Sequence, residues 1–179
     1  CVQGRDIELI RCIIFGAVDG VMATNSGLKV IASWIHDLHW NATGHKDGGP
    51  THNDDIQIEG GGGHEIVGNC LEVGSRCNAG VMVTQNVAPI IGLLMKANWF
   101  FSSEITKELQ PPVAINMTAS GKAAMTGVLI QSNRFSNQDF WRDSRAAWID
   151  SATHASLVAA NAMVDNEYLD GTPAKLSRG

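Results

Sequence analysis

The chain has 179 residues, and its 13 Lys and Arg are outnumbered by 18 Asp and Glu, which gives a formal net charge of −5. This acidic balance argues against nucleic acid or an anionic membrane surface as a partner. No apolar run reaches the length of about 18 residues that a membrane-spanning helix needs, so no membrane span is predicted. The four cysteines show no metal-binding spacing, so free thiols are expected, with a Cys70–Cys77 disulfide as an open alternative.

A repeated unit runs along the chain from near its start. Each copy has an apolar segment, a small residue at the fourth position and a further apolar pair, and the six copies occupy 9–14, 30–35, 66–71, 95–100, 130–135 and 158–163. The fourth positions are Cys12, Ser33, Asn69, Asn98, Asn133 and Asn161. Such a repeat predicts a solenoid, because one unit cannot bury its apolar face alone and a stack of units can.

A second strand motif follows the repeated unit after a loop of variable length, at 20–23, 55–58, 80–83, 112–115 and 146–149. Because successive side chains of a strand point to opposite faces, the inward residues are expected to be Val21, Ile56, Val81, Val113 and Ala147. The same alternation predicts one outward column of Met22, Gln57, Met82, Ala114 and Trp148, flanked by Asp55. It predicts a neighbouring column of Thr24, Glu59, Thr84, Asn116 and Asp150.

The sequence resembles the right-handed parallel β-helix superfamily, which includes pectate-lyase-like enzymes and phage tailspikes. In that family an asparagine ladder lies between the second and third strands of each coil. Four of the fourth positions match it, Asn69, Asn98, Asn133 and Asn161, while Cys12 and Ser33 depart from it. We therefore expect an all-β fold, a right-handed parallel β-helix of about five to six coils. Its asparagines should hydrogen-bond along the stack and adopt the left-handed conformation of a sharp corner.

One domain is predicted, a β-helix over residues 1–170 followed by a C-terminal tail at 171–179. The chain starts at Cys1 and enters a strand pattern almost at once, so we expect an N-terminal part of the domain to precede it. Three long insertions, 37–54, 102–112 and 136–145, interrupt the regular coil length. In a solenoid such loops cluster on one side and often carry binding. A β-sandwich, the main alternative fold, would not repeat one small polar corner at these intervals.

The densest polar cluster lies in the segment 45–59. Within it, His52 with Asp54 or Asp55 could act as a catalytic acid–base pair, although Asn-Asp-Asp before a strand also makes a good turn. Saccharide or other ligand binding is expected from the outward and loop residues Asp47, Gln57, Glu59, Asn116, Trp148 and Asp150. No cofactor and no metal ligand set is predicted; calcium stays an open alternative without a ligand-loop pattern.

Two hypotheses about function remain open. The first is a non-enzymatic surface β-helix of a phage virion, as a tail fibre, tailspike, minor tail or capsid-decorating protein. It would bind a bacterial surface saccharide or another virion protein, and it would be a homo-oligomer, since trimers are usual among resembling tailspikes. The second is a secreted polysaccharide lyase or glycoside hydrolase acting through the segment 52–59. Against it, no outward strand position is Lys or Arg, and Asp55 and Glu59 would lie about 13 Å apart on one strand. Both hypotheses place the protein on a virion or outside the cell.

Overall fold

A computed structural model of the protein describes residues 1–74, 77–102, 113–119, 121–136 and 146–178. Within these residues, three parallel sheets are present, which we label A, B and C. Sheet A contains β1 (Val2–Gly4), β4 (Val21–Ala23), β7 (Asn53–Ile58), β10 (Cys77–Thr84), β13 (Val113–Thr118), β16 (Ala147–Ile149) and β19 (Leu176–Arg178). Sheet B contains β2 (Glu8–Ile10), β5 (Lys29–Ile31), β8 (Gly61–Val67), β11 (Ile90–Lys96), β14 (Thr126–Gln131) and β17 (Met163–Val164). Sheet C contains β3 (Ile13–Ile14), β6 (Trp34–Ile35), β9 (Cys70–Glu72), β12 (Trp99–Phe101), β15 (Arg134–Phe135) and β18 (Glu167–Tyr168).

Each circuit of the chain gives one strand to each sheet in the order A, B, C. The protein is therefore an all-β parallel solenoid, which confirms the fold class predicted from the repeat. The segment predicted as a C-terminal tail ends in β19, which pairs with β16 in sheet A. A short helix, α1 (Ser151–Ala159), precedes β17. Among the described residues, no helix is long and apolar enough to cross a membrane.

Similar side chains stack on one another in the solenoid interior. The inward column of sheet C is Ile14, Ile35, Leu71, Phe100, Phe135 and Tyr168. The rings of Phe100 and Phe135 stack with their centroids 5.1 Å apart. β-Branched residues suit such strands because they pack well on a pleated surface. A shift by one residue would turn the whole apolar set outward, so the alternation fixes which face of each strand is buried.

The corner between sheets B and C has the same two-residue form in every described coil. Its first residue is left-handed, with φ between 50° and 67° at Arg11, Ala32, Gly68, Ala97, Ser132 and Asp165. Its second residue is the ladder position, occupied by Cys12, Ser33, Asn69, Asn98, Asn133 and Asn166. The left-handed conformation therefore belongs to the residue before the ladder position, which corrects the expectation that the asparagines adopt it.

Asn69, Asn98, Asn133 and Asn166 form a continuous hydrogen-bonded ladder. The Oδ1 atom of Asn98, Asn133 and Asn166 accepts both the backbone N–H and the Nδ2–H of the ladder asparagine in the preceding coil, at 2.9–3.1 Å. Each Nδ2 also donates to a backbone carbonyl of the preceding coil, at 2.8–3.0 Å. Ser33 continues the ladder, because its N–H donates to Asn69 Oδ1 at 2.9 Å and its hydroxyl accepts the Cys12 N–H at 3.1 Å.

Asn161 is not a ladder residue, and its predicted place belongs to Asn166. The carboxylate of Asp150 accepts the N–H groups of Ala152 and Thr153 at 3.1 Å and caps α1. The helix takes up the first part of the segment in which the sixth repeat was predicted. Asn161 follows the helix as an exposed residue with φ 47°. The chain returns to the solenoid only at β17, so the next corner brings Asn166 beneath Asn133.

One strand of sheet A is shifted by two residues from its predicted alignment. Ile115, rather than Val113, pairs with Val81. Asn116 therefore stacks between Met82 and Trp148, in the column position predicted for Ala114, and Ala114 is buried. A shift by two residues preserves the alternation of faces, so the hydrophobic pattern cannot detect it.

Candidate functional site

A groove of about 390 Å³ lies where the 37–52 loop meets the outer side of sheet A, and we call it the loop groove. Its sheet side is formed by Val18, Asp19, Met22, Gln57 and Glu59. Its loop side is formed by Gly44, His45, Lys46, Thr51 and His52. The structure thus brings together three of the residues predicted from the sequence, His52, Gln57 and Glu59.

The loop above the groove is held by its own hydrogen bonds. The N–H of Thr51 donates to the Asn41 carbonyl at 2.8 Å, and the Thr51 hydroxyl accepts the Asn41 N–H at 2.9 Å. The imidazole rings of His45 and His52 stack with their centroids 5.2 Å apart. Asp47, predicted as a ligand residue, is exposed, with a carboxylate oxygen 3.3 Å from His45 Nδ1, and it lies outside the groove lining.

Asp19 is a groove residue that the sequence pattern did not single out. Its Oδ1 atom accepts the backbone N–H of Asp54 at 3.1 Å. Burial raises the pKa of the Asp19 carboxyl, and the Asp54 N–H, the N-terminal amine and His52 act in the opposite direction. Asp19 lies one coil before the polar segment, so only the stacking register of β4 on β7 could have shown that it lies beside Asp54.

The loop supplies the basic groups that are missing from the outward strand positions. Lys46, His45 and His52 line the same groove as Asp19 and Glu59. In the register of sheet A, Asp19 lies beside Asp54, and Glu59 is five residues further along the strand direction. The carboxyls of Asp19 and Glu59 are therefore about 16 Å apart, beyond the roughly 5–9.5 Å of a two-carboxylate glycosidase.

Asp54 and Asp55, the two predicted catalytic carboxyls, lie beneath the surface with 2% and 0% of their area exposed. Asp54 Oδ1 accepts the Ala79 N–H at 3.1 Å. Within the described part of the chain, both carboxylate oxygens of Asp55 and both side-chain polar atoms of Asn53 are buried without a hydrogen-bond partner. His52 is exposed. The structure therefore does not bring His52 together with Asp54 and Asp55 at one open surface.

Burial raises the pKa of both buried carboxyls well above the usual range. Neighbouring carboxylates add to this effect, since Asp19 raises the pKa of Asp54, and Asp54 and then Glu72 raise that of Asp55. A carboxyl held in this way stays protonated to a higher pH than one in water, because its charged form is poorly solvated.

The start of sheet A is irregular: the pairing of β7 with β10 has a bulge between Asn53/Asp54 and Cys77/Ala79, and Asp55 and Ile56 just beyond it are both fully buried. At this level two consecutive residues of a coil point to the interior; for example, the N–H groups of Ala114 and Ile115 both donate to the Ala146 carbonyl at 3.1 Å. The first residue of each such pair is Gly20, Asp55, Gly80, Ala114 or Ala146. Strict alternation predicted that Asp55 flanks the outward column, and this was wrong because the bulge breaks the alternation.

The remaining predicted ligand residues are spread along sheet A. Asn116 and Trp148 are partly exposed and continue the outward column of Gln57 and Met82. Gln57 and Trp148 are three coils apart, which is about 14 Å. Asp150 caps α1, and its Oδ2 atom also accepts the Ala119 N–H at 3.1 Å, so its carboxylate is used by backbone donors.

Sheet C presents two aromatic platforms on its outer face. Trp34 and Trp99 are 41% and 44% exposed, as expected for residues that follow the ladder position. The Trp34 ring stacks on His36 with centroids 3.9 Å apart, and the Trp99 ring stacks on Phe101 at 4.7 Å. Each indole is thus held by the residue two positions further along the chain.

A larger cavity, of about 560 Å³, lies at the C-terminal end of the solenoid. The last ladder residue, Asn166, lines it together with Glu167, Gly171 and Pro173. We place the candidate site in the loop groove because that groove combines carboxylates, imidazoles and an ammonium group. Among the described residues, no group of three or more His, Cys, Asp or Glu side chains could hold a metal ion.

Comparisons of the chain with protein-family models, with curated proteins and with solved structures found no match. The class of the protein, a parallel β-solenoid, therefore rests on the strand pairing and the ladder.

Proposed function

We propose that this protein is a surface β-solenoid that binds a saccharide in the loop groove. The observation that carries the proposal is a hydrogen-bonded loop lying over a polar strand face, with a volume in the range of small-molecule sites. The Gln57 amide and the Glu59 carboxylate offer donors and acceptors for sugar hydroxyls. Met22 offers apolar surface for the face of a sugar ring.

The setting that we propose is a virion of the tailspike type, with a bacterial surface saccharide or another virion protein as the partner. Its support is the resemblance of the repeat to the pectate-lyase-like and tailspike β-helices, together with the exposed Trp34 and Trp99. Exposed aromatic groups of this kind suit a protein contact. In this proposal the protein is a homo-oligomer, with the trimer of resembling tailspikes as the expected state, and sedimentation of a monomer at high concentration would count against it.

Binding of a panel of bacterial surface polysaccharides to the full chain tests the proposal. We expect Gln57→Ala to weaken binding about tenfold, the loss of about 1.4 kcal/mol. Gln131→Ala is the matched control, because Gln131 is a partly exposed glutamine on sheet B, away from the groove. The proposal fails if no polysaccharide binds, or if the two variants weaken binding equally.

A polysaccharide lyase or glycoside hydrolase remains the second candidate, and one observation favours it. Asp19 and His52 share the loop groove, and burial raises the pKa of the Asp19 carboxyl. A carboxyl of raised pKa beside an imidazole suits transfer of a proton to or from a sugar. This pair differs from the one predicted from the sequence, because Asp19 replaces the buried Asp54 and Asp55.

Assays for reducing ends and for unsaturated products on the same panel separate the two candidates. An enzyme should form product, and both Asp19→Asn and His52→Ala should abolish product formation while saccharide binding persists. Binding without product from the unmodified chain rejects the enzyme and retains the binding protein.

A further inference from the structure

Asp55 occupies the interior of the solenoid at a position where the four other inner coils have no polar side chain, while the two end coils have the exposed Cys1 and Lys175 there. Its counterparts in the stack are Gly20, Gly80, Ala114 and Ala146. A methyl group on Gly20 would lie 2.8 Å from Ile35 Cγ2, and one on Gly80 would lie 3.1 Å from Phe100 Cδ1. The column therefore faces the core, and the Asp55 carboxyl lies between two residues without side chains.

Nothing in the described structure satisfies this carboxyl. Both of its oxygens are buried without a hydrogen-bond partner, and so are both polar atoms of Asn53 on the same strand. The N-terminal amine and His52 act on Asp19, which lies before β4, and not on Asp55 itself. The titratable groups that interact directly with Asp55 are Asp54 on β7, Glu72 and Cys70 on β9, and Cys77 on β10. All of them are acids or thiols, so none supplies a positive charge that would stabilise an ionised Asp55.

We propose that Asp55 is a proton-operated latch of the central coils: protonated, it packs between Gly20 and Gly80, and ionised, it opens the start of β7. An ionised carboxylate without a partner cannot stay in this interior at low cost. It must reach water, and the strand start is the part of β7 where the bulge already interrupts the pairing with β10. The latch goes beyond saccharide binding and does not depend on it.

The strand start that the latch controls is joined to the loop groove. The Asp54 N–H donates to Asp19 in the groove, the Gly20 N–H donates to the Asp54 carbonyl, and Asp54 Oδ1 accepts the Ala79 N–H. These contacts tie three successive coils together around Asp55. Opening at Asp55 would therefore move Asp19, which forms one end of the groove.

The sign of the effect follows from the direction of the pKa shift. Burial raises the pKa of Asp55, so the closed state keeps its proton to a higher pH than the open state does. Above the pKa of an ordinary aspartate, each rise in pH then favours opening, until the closed state also ionises. The latch is closed in acid and loosens toward alkaline pH.

Hydrogen exchange of the full chain between pH 5 and pH 9 tests the latch. Amide protection in β7 and β10, corrected for the intrinsic exchange rate, should fall at least about tenfold across this range relative to β14. Asp55→Ala, which copies Ala114 and Ala146, should remove this fall. Asp55→Asn keeps the size and polarity of the side chain without a titrating proton, and it should remove the fall as well.

Two results would overturn the proposal. The first is equal protection of β7 and β10 at both ends of the pH range in the unmodified chain. The second is an unchanged pH dependence in Asp55→Asn, which would assign the opening to another acid of the cluster. If Asp55→Ala does not fold, Asp55→Asn alone decides between these outcomes. The hydrogen-exchange experiments contain no saccharide, so their outcome does not depend on whether the proposed saccharide binding is correct.

Discussion

Two of the groups of polar side chains that the solenoid buries differ in whether their atoms have hydrogen-bond partners. The ladder asparagines donate and accept along the whole stack, so each buried amide has partners in the neighbouring coils. Asp55 and Asn53 are as deeply buried and have none among the residues that the structure describes. The difference shows that repetition solves the problem of burying polar groups, because each coil supplies partners to the next. Asp55, which is present in one coil alone, has no such supply.

Breaking the ladder should have the largest effect. Asn98→Ala removes the acceptor of the Asn69 N–H and the donor to the Ile66 carbonyl. It also removes the side-chain hydrogen bond from Asn98 Nδ2 to Asn133 Oδ1, which interrupts the ladder. Because two buried backbone groups lose their partners, we expect the free energy of unfolding to fall by about 3–5 kcal/mol. Chemical denaturation measures this loss.

Asn161→Gly is the control for the ladder variant. Asn161 is exposed and left-handed, and glycine adopts that conformation without strain, so the change should stay within about 0.5 kcal/mol. A loss at Asn161→Gly equal to that at Asn98→Ala would restore Asn161 to the ladder and contradict the structure.

Removing the unsatisfied carboxyl should have a smaller effect of opposite sign. Asp55→Ala should raise the free energy of unfolding by about 2 kcal/mol at pH 8, because it removes a buried polar group without a hydrogen-bond partner in the described part of the chain. The gain should shrink as the pH falls toward 4. The unfolded chain then also holds its proton, and the raised pKa of Asp55 no longer disfavours folding.

Denaturation at pH 4, 6 and 8 measures this gain, and Asp47→Ala is its control. Asp47 is exposed at the loop tip, so its removal changes the charge without changing burial. A loss of stability in Asp55→Ala at pH 8 would show that the carboxyl has partners in solution.

The smallest expected effect concerns the left-handed residue beside the ladder. Gly68→Ala should lower the free energy of unfolding by about 1 kcal/mol through its φ of 67° alone, since no atom of the described residues lies within 4 Å of the added methyl group. Ala97→Gly should raise it by about 0.5 kcal/mol, because the same strain is relieved. Thermal unfolding of each single variant, measured beside the unmodified chain, checks that the two substitutions shift the unfolding midpoint in opposite directions.

The sequence was sufficient for the repeated parts of the fold. Apolar alternation and the recurring small polar residue predicted the solenoid, and Asn69, Asn98 and Asn133 occupy the ladder that they suggested. The exceptions arose where the chain leaves the repeat. At Asn161, the Asp150 cap started a helix, which the local similarity to the repeated unit concealed.

The candidate site was less accessible to prediction. A two-residue shift at Val113 leaves the hydrophobic pattern unchanged, and a bulge reverses the face of Asp55 without altering the composition. Asp19 enters the groove only through the stacking of one coil on the next. Each of these features depends on the register between coils, which the sequence of a single coil does not encode.

Two of the three corners in each coil differ in how much their length varies. Two residues separate the strands at every corner between sheets B and C. The connection from sheet C to sheet A varies in length, from the short 73–76 connection to the long 36–52 connection. New sequence can therefore enter at one corner without disturbing the other. Such a connection from sheet C to sheet A is the natural place to graft a foreign peptide, and successive coils could display several such peptides side by side as an ordered array.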